Sequence, residues 1–220
     1  MTIAALIPTK NEEEGIGKVI DDVKKYVDDI YIIDCSSTDK TQEIAKKKGA
    51  KIILESRKGY GRAYKTGFNK VKADIIVTID ADGSYSTKKL GYYIKLVKEN
   101  KEQFISCNRI PKKNSMSFTH EIGNKMLTKL ANILFWIDLK DSQTGMWIFD
   151  QSILKKIVLE DDGMPLSEEI KIKVIKSGTK FVEFPVDYYP RLGEAKINTI
   201  KDGANVGWFL LKLRLKTLFN

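Results

Sequence analysis

The first eighty residues alternate short apolar runs with segments whose apolar positions recur at helical spacing. Residues 3–8 are apolar and predict a strand. In 12–26, Ile16, Val19, Ile20 and Val23 fall on one helical face. A second strand is predicted over 30–34. The polar run Cys35-Ser36-Ser37-Thr38-Asp39 then suits a loop and an N-cap for a helix over 40–48, which Gly49 closes. A third strand over 52–54, a helix over 61–72 and a fourth strand over 74–79 complete the pattern. Strand and helix in strict alternation imply an α/β fold, with a mainly parallel sheet and helices on both faces.

Beyond Lys88 the pattern loosens. Helices are predicted over 90–97 and 117–136, the second with Phe118, Ile122, Met126, Leu130, Ile133 and Ile137 along one stripe. Further strands fall at 104–108, 147–149 and 180–184, with two helices between the last two. Residues 111–116 are polar and basic and read as a loop. The C-terminal segment carries two apolar stripes, Trp208, Leu211, Leu215 and Leu218 against Val206, Phe209, Leu210 and Leu213. Lys212, Arg214 and Lys216 lie between them. One stripe can pack on the domain while the other meets lipid, with the cations at headgroups; a helix buried on two sides or a dimer contact is the alternative. The chain therefore divides at 1–197, a globular domain, and 198–220, an amphipathic, membrane-interfacial helix.

Composition narrows the class. With 220 residues, 42% of them hydrophobic, the chain can bury a proper core without staples. Cys35 and Cys107 stand far apart at the ends of apolar runs and read as packing residues, which suits a reducing compartment. The single histidine, His120, excludes a multi-histidine metal site and suits a capping or core role. Met1 leads directly into strand-like sequence, so no signal peptide is expected, and no run is long enough to span a bilayer. The expectation is a soluble or peripheral protein. A formal net charge of +9 points to an anionic partner.

The chemistry concentrates at strand ends. The predicted fourth strand closes on Asp80-Ala81-Asp82-Gly83, and carboxylates at i and i+2 at a strand end can face the same way. Two carboxylates in the crevice of an open sheet suit a divalent cation holding a phosphorylated ligand. Pro8 to Glu12 follows the first strand, Asp34 ends the second with Ser37, Asp39 and Thr41 beyond it, and Arg57 to Ala63 follows the third. A parallel sheet places all of these on one rim. There a carboxylate or amide can read a base, glycines let the backbone approach phosphate, and basic groups with a metal offset its charge.

Taken together these residues resemble family 2 glycosyltransferases of the GT-A fold, a Rossmann-like architecture. Within that family they are similar to the dolichyl-phosphate or polyprenyl-phosphate hexose (mannose or glucose) synthases. Ile7-Pro8-Thr9-Lys10-Asn11-Glu12 resembles the family's I-P-x-x-N-E, and Asp34 to Thr41 its D-[DG]-x-S-x-D-x-T. Asp80-Ala81-Asp82 resembles its metal motif, Asn108-Arg109 its S-R, and Asp141 to Met146 its D-x-x-[ST]-G-[FM]. Glu183-Phe184-Pro185-Val186, then Arg191-x-Gly193-x-x-Lys196, resembles the segment that marks the polyprenyl-phosphate branch. The motifs run in family order over nearly the whole chain. Cys35 departs from a second Asp, which leaves base contacts more to Asp34. Ser84 stands where mannose-type members carry leucine, which favours a UDP-linked sugar over GDP-mannose. No transmembrane extension of the kind many relatives carry is expected after the C-terminal helix.

The resemblance implies an inverting transfer in which a lipid phosphate oxygen attacks the anomeric carbon and nucleoside diphosphate leaves. It implies nucleotide-sugar contacts from Pro8, Thr9, Asn11, Glu12, Asp34, Ser37, Lys58, Gly61, Arg62, Asp80, Ala81 and Asp82, with Mg²⁺ or Mn²⁺ on Asp80 and Asp82. Arg109, Arg191 and Lys196 would bind the acceptor phosphate. Asp141 with Arg109 would be catalytic, Asp141 serving as base or orienting the acceptor. Glu168 and Glu169 are further sugar or acceptor candidates; the alternative is the acidic first turn of a helix. The expected setting is cytoplasmic, peripheral at the inner membrane face, with the oligomeric state open. A family 2 enzyme with a soluble or polysaccharide acceptor is the nearest rival. A dinucleotide-binding oxidoreductase fails because Tyr64 breaks the glycine fingerprint. A nucleic-acid binder leaves the rim carboxylates unexplained, so no nucleic-acid partner is expected.

Overall fold

The computed structural model describes residues 1–195 and 199–218, apart from the side chains at 199, 200 and 218. The strands are β1 (Ile3–Thr9), β2 (Asp29–Asp34), β3 (Lys51–Leu54), β4 (Ile75–Thr78), β5 (Phe104–Pro111), β6 (Trp147–Asp150) and β7 (Phe181–Tyr188). The helices are α1 (Ile16–Val23), α2 (Thr41–Lys47), α3 (Tyr60–Lys70), α4 (Leu90–Lys98), α5 (Phe118–Phe135), α6 (Leu166–Lys176) and α7 (Thr199–Leu218). One seven-stranded sheet has the order β3-β2-β1-β4-β6-β5-β7. Only β6 runs antiparallel to its neighbours, pairing with β4 and β5, so the expected mixed, mainly parallel sheet is present.

Alternation along the central strands decides the layers. Ile3, Ala5 and Ile7 of β1 join Ile75 and Val77 of β4 on one face, under α1, α2 and α4. Ala4, Leu6 and Ile76 face the other way, under α3 and α6 through Tyr64, Phe68, Leu166 and Ile170. Both faces are covered, which is why these strands read as nearly continuous apolar runs.

Several boundaries move. The helix expected from Glu12 begins at Ile16, because Glu12 to Gly15 forms a turn in which the Gly15 and Ile16 amides donate to the Glu12 carbonyl. Strand β4 stops at Thr78, one residue before the predicted end. Strands β5 and β7 run longer than their apolar cores, because they pair in parallel from Phe104↔Phe181 to Pro111↔Tyr188. The first of the two helices predicted between β6 and β7 is a 3-10 turn, Gln151–Lys155. Both cysteines are free. His120 lies in the first turn of α5, where the Ser117 hydroxyl accepts its amide at 3.3 Å.

Helices α5 and α7 pair beside this sheet. Val206, Leu210 and Leu213 of α7 are buried with Ala131 and Phe135 of α5 and Ile172 of α6. Trp208 (71% accessible) and Leu215 (57%) of the second stripe are exposed. Leu218 and Phe219, also assigned to the C-terminal helix, lie outside the described side chains. The stripe of α5 is largely exposed too, with Phe118, Ile122, Met126 and Ile133 outward. Among the described residues no helix is long and apolar enough to cross a membrane.

Candidate active site

The loops after β1 and β2 clasp each other. Asn11 adopts a left-handed conformation (φ 53°). Its amide donates to the Ser37 hydroxyl at 2.8 Å, and its side-chain oxygen accepts the Thr38 amide at 2.8 Å. Asp34 is fully buried. One carboxylate oxygen accepts from the Thr9 hydroxyl (3.0 Å), the other from the Ser37 amide (3.0 Å) and the Gln42 side chain (2.8 Å). Asp34 thus organises the loop that sequence reading assigned to nucleotide contact. Pro8 sits within β1, and Ser37 completes the clasp.

The Asp80-Ala81-Asp82 segment is a turn rather than the last residues of a strand, so its two carboxylates are oriented by side-chain contacts instead of strand alternation. The Asp82 Oδ1 accepts both the amide (3.0 Å) and hydroxyl (2.6 Å) of Ser84. Its Oδ2 lies 3.5 Å from an Arg191 nitrogen. The Tyr60 hydroxyl donates to Asp80 Oδ1 at 3.2 Å. Burial, then the Asp82 charge, push the Asp80 carboxyl up to about 7. The approach of α1 is equally close: a Cβ on Gly15 would stand 2.5 Å from the Ala81 carbonyl oxygen.

Arg191 spans the turn and the first loop. Its guanidinium donates to both Glu12 carboxylate oxygens (3.3 and 3.1 Å) as well as facing Asp82. The Leu192 amide donates to the Asp82 carbonyl at 2.8 Å. The residue assigned to the acceptor therefore sits directly at the metal motif. Lys196, its companion in that assignment, lies outside the described residues.

A second charged centre forms at the 141–146 segment. Arg109 grips Asp141 bidentately, Nε to Oδ2 at 2.7 Å and a terminal nitrogen to Oδ1 at 2.8 Å. The Tyr188 ring lies 5.3 Å from the guanidinium carbon. Burial acts to raise the Asp141 carboxyl, but the guanidinium overrides it and holds it down at about 2. That leaves Asp141 a poor proton acceptor and a good anchor for Arg109. Sequence reading missed three supports of this segment. Glu183 accepts the Lys140 (2.6 Å) and Asp141 (3.2 Å) amides. Lys171 donates to carbonyls beneath it. Tyr60 and Asp80 crowd Gly145, where a Cβ would fall on the Tyr60 hydroxyl and 3.1 Å from Asp80 Oδ1. The only sequence signal for this fit is the glycine itself.

Other assignments acquire structural partners. A Cβ at Gly61 would come within 2.9 Å of the Asp161 and Gly163 carbonyls, so packing against the 161–163 loop requires glycine there. Arg62 pairs with Asp162 of that loop. Lys58 is exposed. Glu169 is fully buried and accepts the Glu160 and Asp161 amides (2.9 and 3.0 Å) and the Lys173 ammonium (2.6 Å), which makes it a clamp on the same loop. Glu168 is fully buried against Gln143 and Ser142, and burial pushes its carboxyl up to about 8.

Among the described residues no group of three or more His, Cys, Asp or Glu side chains could hold a metal alone. Asp80 and Asp82 offer oxygen donors only, a set that fits a hard divalent cation completed by ligand oxygens and water. Burial first, and the Asp82 charge second, disfavour an ionised Asp80, and such a cation would offset both.

Comparison with known proteins agrees with this architecture. The chain is 32% identical over 211 residues to "Low-salt glycan biosynthesis hexosyltransferase Agl6" of Haloferax volcanii, covering 92% of this chain and 51% of that protein, about half its length. It is 31% identical to the "Dolichyl-phosphate hexose transferase" of the same organism, over 97% of this chain and 94% of that one. Glucosyl-3-phosphoglycerate synthase of Mycobacterium tuberculosis, crystallised with Mn²⁺, UDP and glucosyl-3-phosphoglycerate, shares the fold: TM-score 0.73, 19% identity, 97% of this chain and 79% of that one. The family model described as "Glycosyl transferase family 2" matches residues 4–158, and the chain, a glycosyltransferase, belongs to that family.

Proposed function

We propose that this enzyme moves a hexose from a nucleoside-diphosphate sugar, UDP-linked by preference, to a polyprenyl or dolichyl phosphate, inverting the anomeric centre. The observation that carries this reading is the convergence of two charged centres on one segment. Gly145 underlies Asp80, and Asp141 of the same segment holds Arg109. A donor diphosphate at the first and an anionic acceptor at the second would meet between them. The name of the 31% identical dolichyl-phosphate hexose transferase, nearly all of whose length is covered, supports the acceptor class.

In this mechanism Asp80 and Asp82 would hold Mg²⁺ or Mn²⁺, and a cation bound there would supply positive charge to offset the diphosphate of the leaving group. Glu12 and Asp82 orient Arg191 at the boundary between donor and acceptor. Arg109, fixed by Asp141 and only 8% accessible, would place its positive charge behind the acceptor phosphate. Phosphate is ionised near neutral pH, so the nucleophile needs no strong base, which agrees with the low basicity of Asp141. Asp34, Asn11 and Ser37 shape the base end of the cleft. A panel of UDP and GDP sugars assayed with a short polyprenyl phosphate tests this. Transfer from a UDP sugar, lost with EDTA and restored by Mn²⁺, is expected. Transfer only to water-soluble sugar acceptors would overturn it.

Residues 198–220 hold the cleft at the cytoplasmic face of the membrane in the same reading. The exposed stripe of α7, with Trp208 and Leu215, would sink into the headgroup layer beside Lys212 and Arg214, whereas Lys216 is paired with Glu160 at 2.8 Å. Deleting α7 would uncover Phe135 and Ile172, so the clean test is Trp208→Ser with Leu215→Ser. The double variant is expected to keep its melting temperature, bind anionic liposomes at least about tenfold more weakly, and still use a short soluble acceptor. Equal co-sedimentation with liposomes would assign the stripe to another role.

A further inference from the structure

Lys171 is the one fully buried lysine among the described residues. It sits on α6, and its ammonium lies 5.9 Å from the centroid of the buried Trp147 ring. Nζ donates to the carbonyls of Asp141 (3.1 Å), Ser142 (2.5 Å) and Thr144 (3.2 Å). Three ammonium protons thus match three carbonyls of one turn. Burying a charge is expensive unless its hydrogen bonds are made. Converging carbonyls are equally costly without a donor. Each solves the other's problem, and a methionine or leucine in that place would leave the turn unsupported.

What the turn carries gives this arrangement a consequence for the reaction. At its start, the Asp141 side chain fixes Arg109. Just past its end, Gly145 lies against the Asp80 carboxylate and the Tyr60 hydroxyl. The charged groups around Lys171 are Asp141, Glu168, Glu183 and Arg109. Glu183 tethers the same turn from β7 through the Lys140 and Asp141 amides.

We propose that Lys171 is a positioning residue: by holding the 141–144 carbonyls, it sets the separation between Arg109 on the acceptor side and Asp80 on the donor side. The proposal rests on the assignment of the cleft made above. Lys171 itself touches neither substrate. Its loss is expected to lower kcat rather than weaken binding, because misplacement of reacting groups by about 1 Å costs roughly 100-fold in rate.

The test is Lys171→Met, a change close in volume, compared with Glu168→Met/Lys171→Met, which also removes the buried Glu168 carboxyl whose charge faces Lys171. Three measurements are made on each: steady-state kinetics, donor binding by calorimetry with UDP and Mn²⁺, and hydrogen exchange of residues 140–146. Folded variants should show kcat lower by roughly 100-fold, with KM values and UDP affinity within about threefold of wild type. Exchange across 140–146 should accelerate by at least about tenfold while β5 and α6 stay protected. An unchanged kcat in a folded variant, or unchanged exchange in that segment, would overturn the proposal. So would failure of both variants to fold, which would make Lys171 a stability residue only. A wild-type enzyme inactive with every donor would count against the proposed function instead, and the exchange measurement would then decide the role of Lys171.

Discussion

Asp82→Ala is expected to reduce metal-dependent transfer by at least roughly 100-fold, the scale of losing one group that stabilises charge in the transition state. Asp80→Ala should do the same. In the proposed mechanism the two carboxylates hold the cation, and an alanine at either would leave the diphosphate charge less compensated. Asp82 has a second duty, because its Oδ1 accepts the Ser84 amide and hydroxyl. Asp82→Asn separates the duties: an amide oxygen can still accept from Ser84, but the charge is gone. If Asn is as inactive as Ala, charge is what matters; if Asn is active, turn shape is. Asp82→Asn, which keeps an acceptor for Ser84, should melt closer to wild type than Asp82→Ala. Full activity of wild type in EDTA, with metal removal verified by elemental analysis, would refute the metal assignment.

The second large effect is expected at the Arg109–Asp141 pair. Both side chains are nearly inaccessible, at 8% and 11%. Arg109→Ala leaves a buried carboxylate without its partner, a change that typically costs about 3–5 kcal/mol. For a chain of this size, that is a fall in melting temperature of roughly 6–20 °C. Arg109→Lys keeps the charge but loses the bidentate geometry, and should recover stability more than activity. The pH dependence has a definite sign. The Asp141 carboxyl is held at about 2 in the folded protein, below its ordinary value of 3.8. Its stabilising contribution is therefore complete above about pH 4 and is lost as the pH falls from there towards 2. Other carboxylates also titrate in that range, so the decisive quantity is the difference between wild type and Arg109→Ala in urea melts. That difference should shrink below about pH 4; a constant difference down to pH near 2 would show that the pair does not hold the carboxyl down.

The strands and most of the rim were legible in the chain because both depend on local physics. A strand buried on two faces must be apolar at nearly every position, as β1 and β4 are. Helices that cover one face must repeat at helical spacing, as Ile16, Val19, Ile20 and Val23 do. A parallel sheet then forces the β→α loops to one edge, so Asn11, Ser37 and the Asp80–Asp82 turn were placed together without coordinates. The two stripes of α7 were likewise readable as one packing and one exposed face, though nothing local said that α5 would be the partner.

Partner choice among charged residues was decided elsewhere. Arg191 and Glu12 are 179 positions apart and meet only because the segment after β7 folds back over the Asp82 turn. Gly59 and Gly61 were read as glycines beside phosphate, and nothing in the sequence told that their missing side chains also make room for the 161–163 loop. Glu169 looked like a substrate contact and is a clamp on that loop. Lys171 was invisible as anything but a basic residue in an amphipathic helix. Hydrophobic pattern is set by how each residue meets water, a property of the residue and its near neighbours, so it survives in one dimension. Hydrogen bonds and ion pairs between distant segments depend on distances that the packed sheet alone creates. The sequence by itself therefore determined the sheet, its layers and the edge where chemistry gathers, while tertiary structure decided which of the gathered charges hold one another.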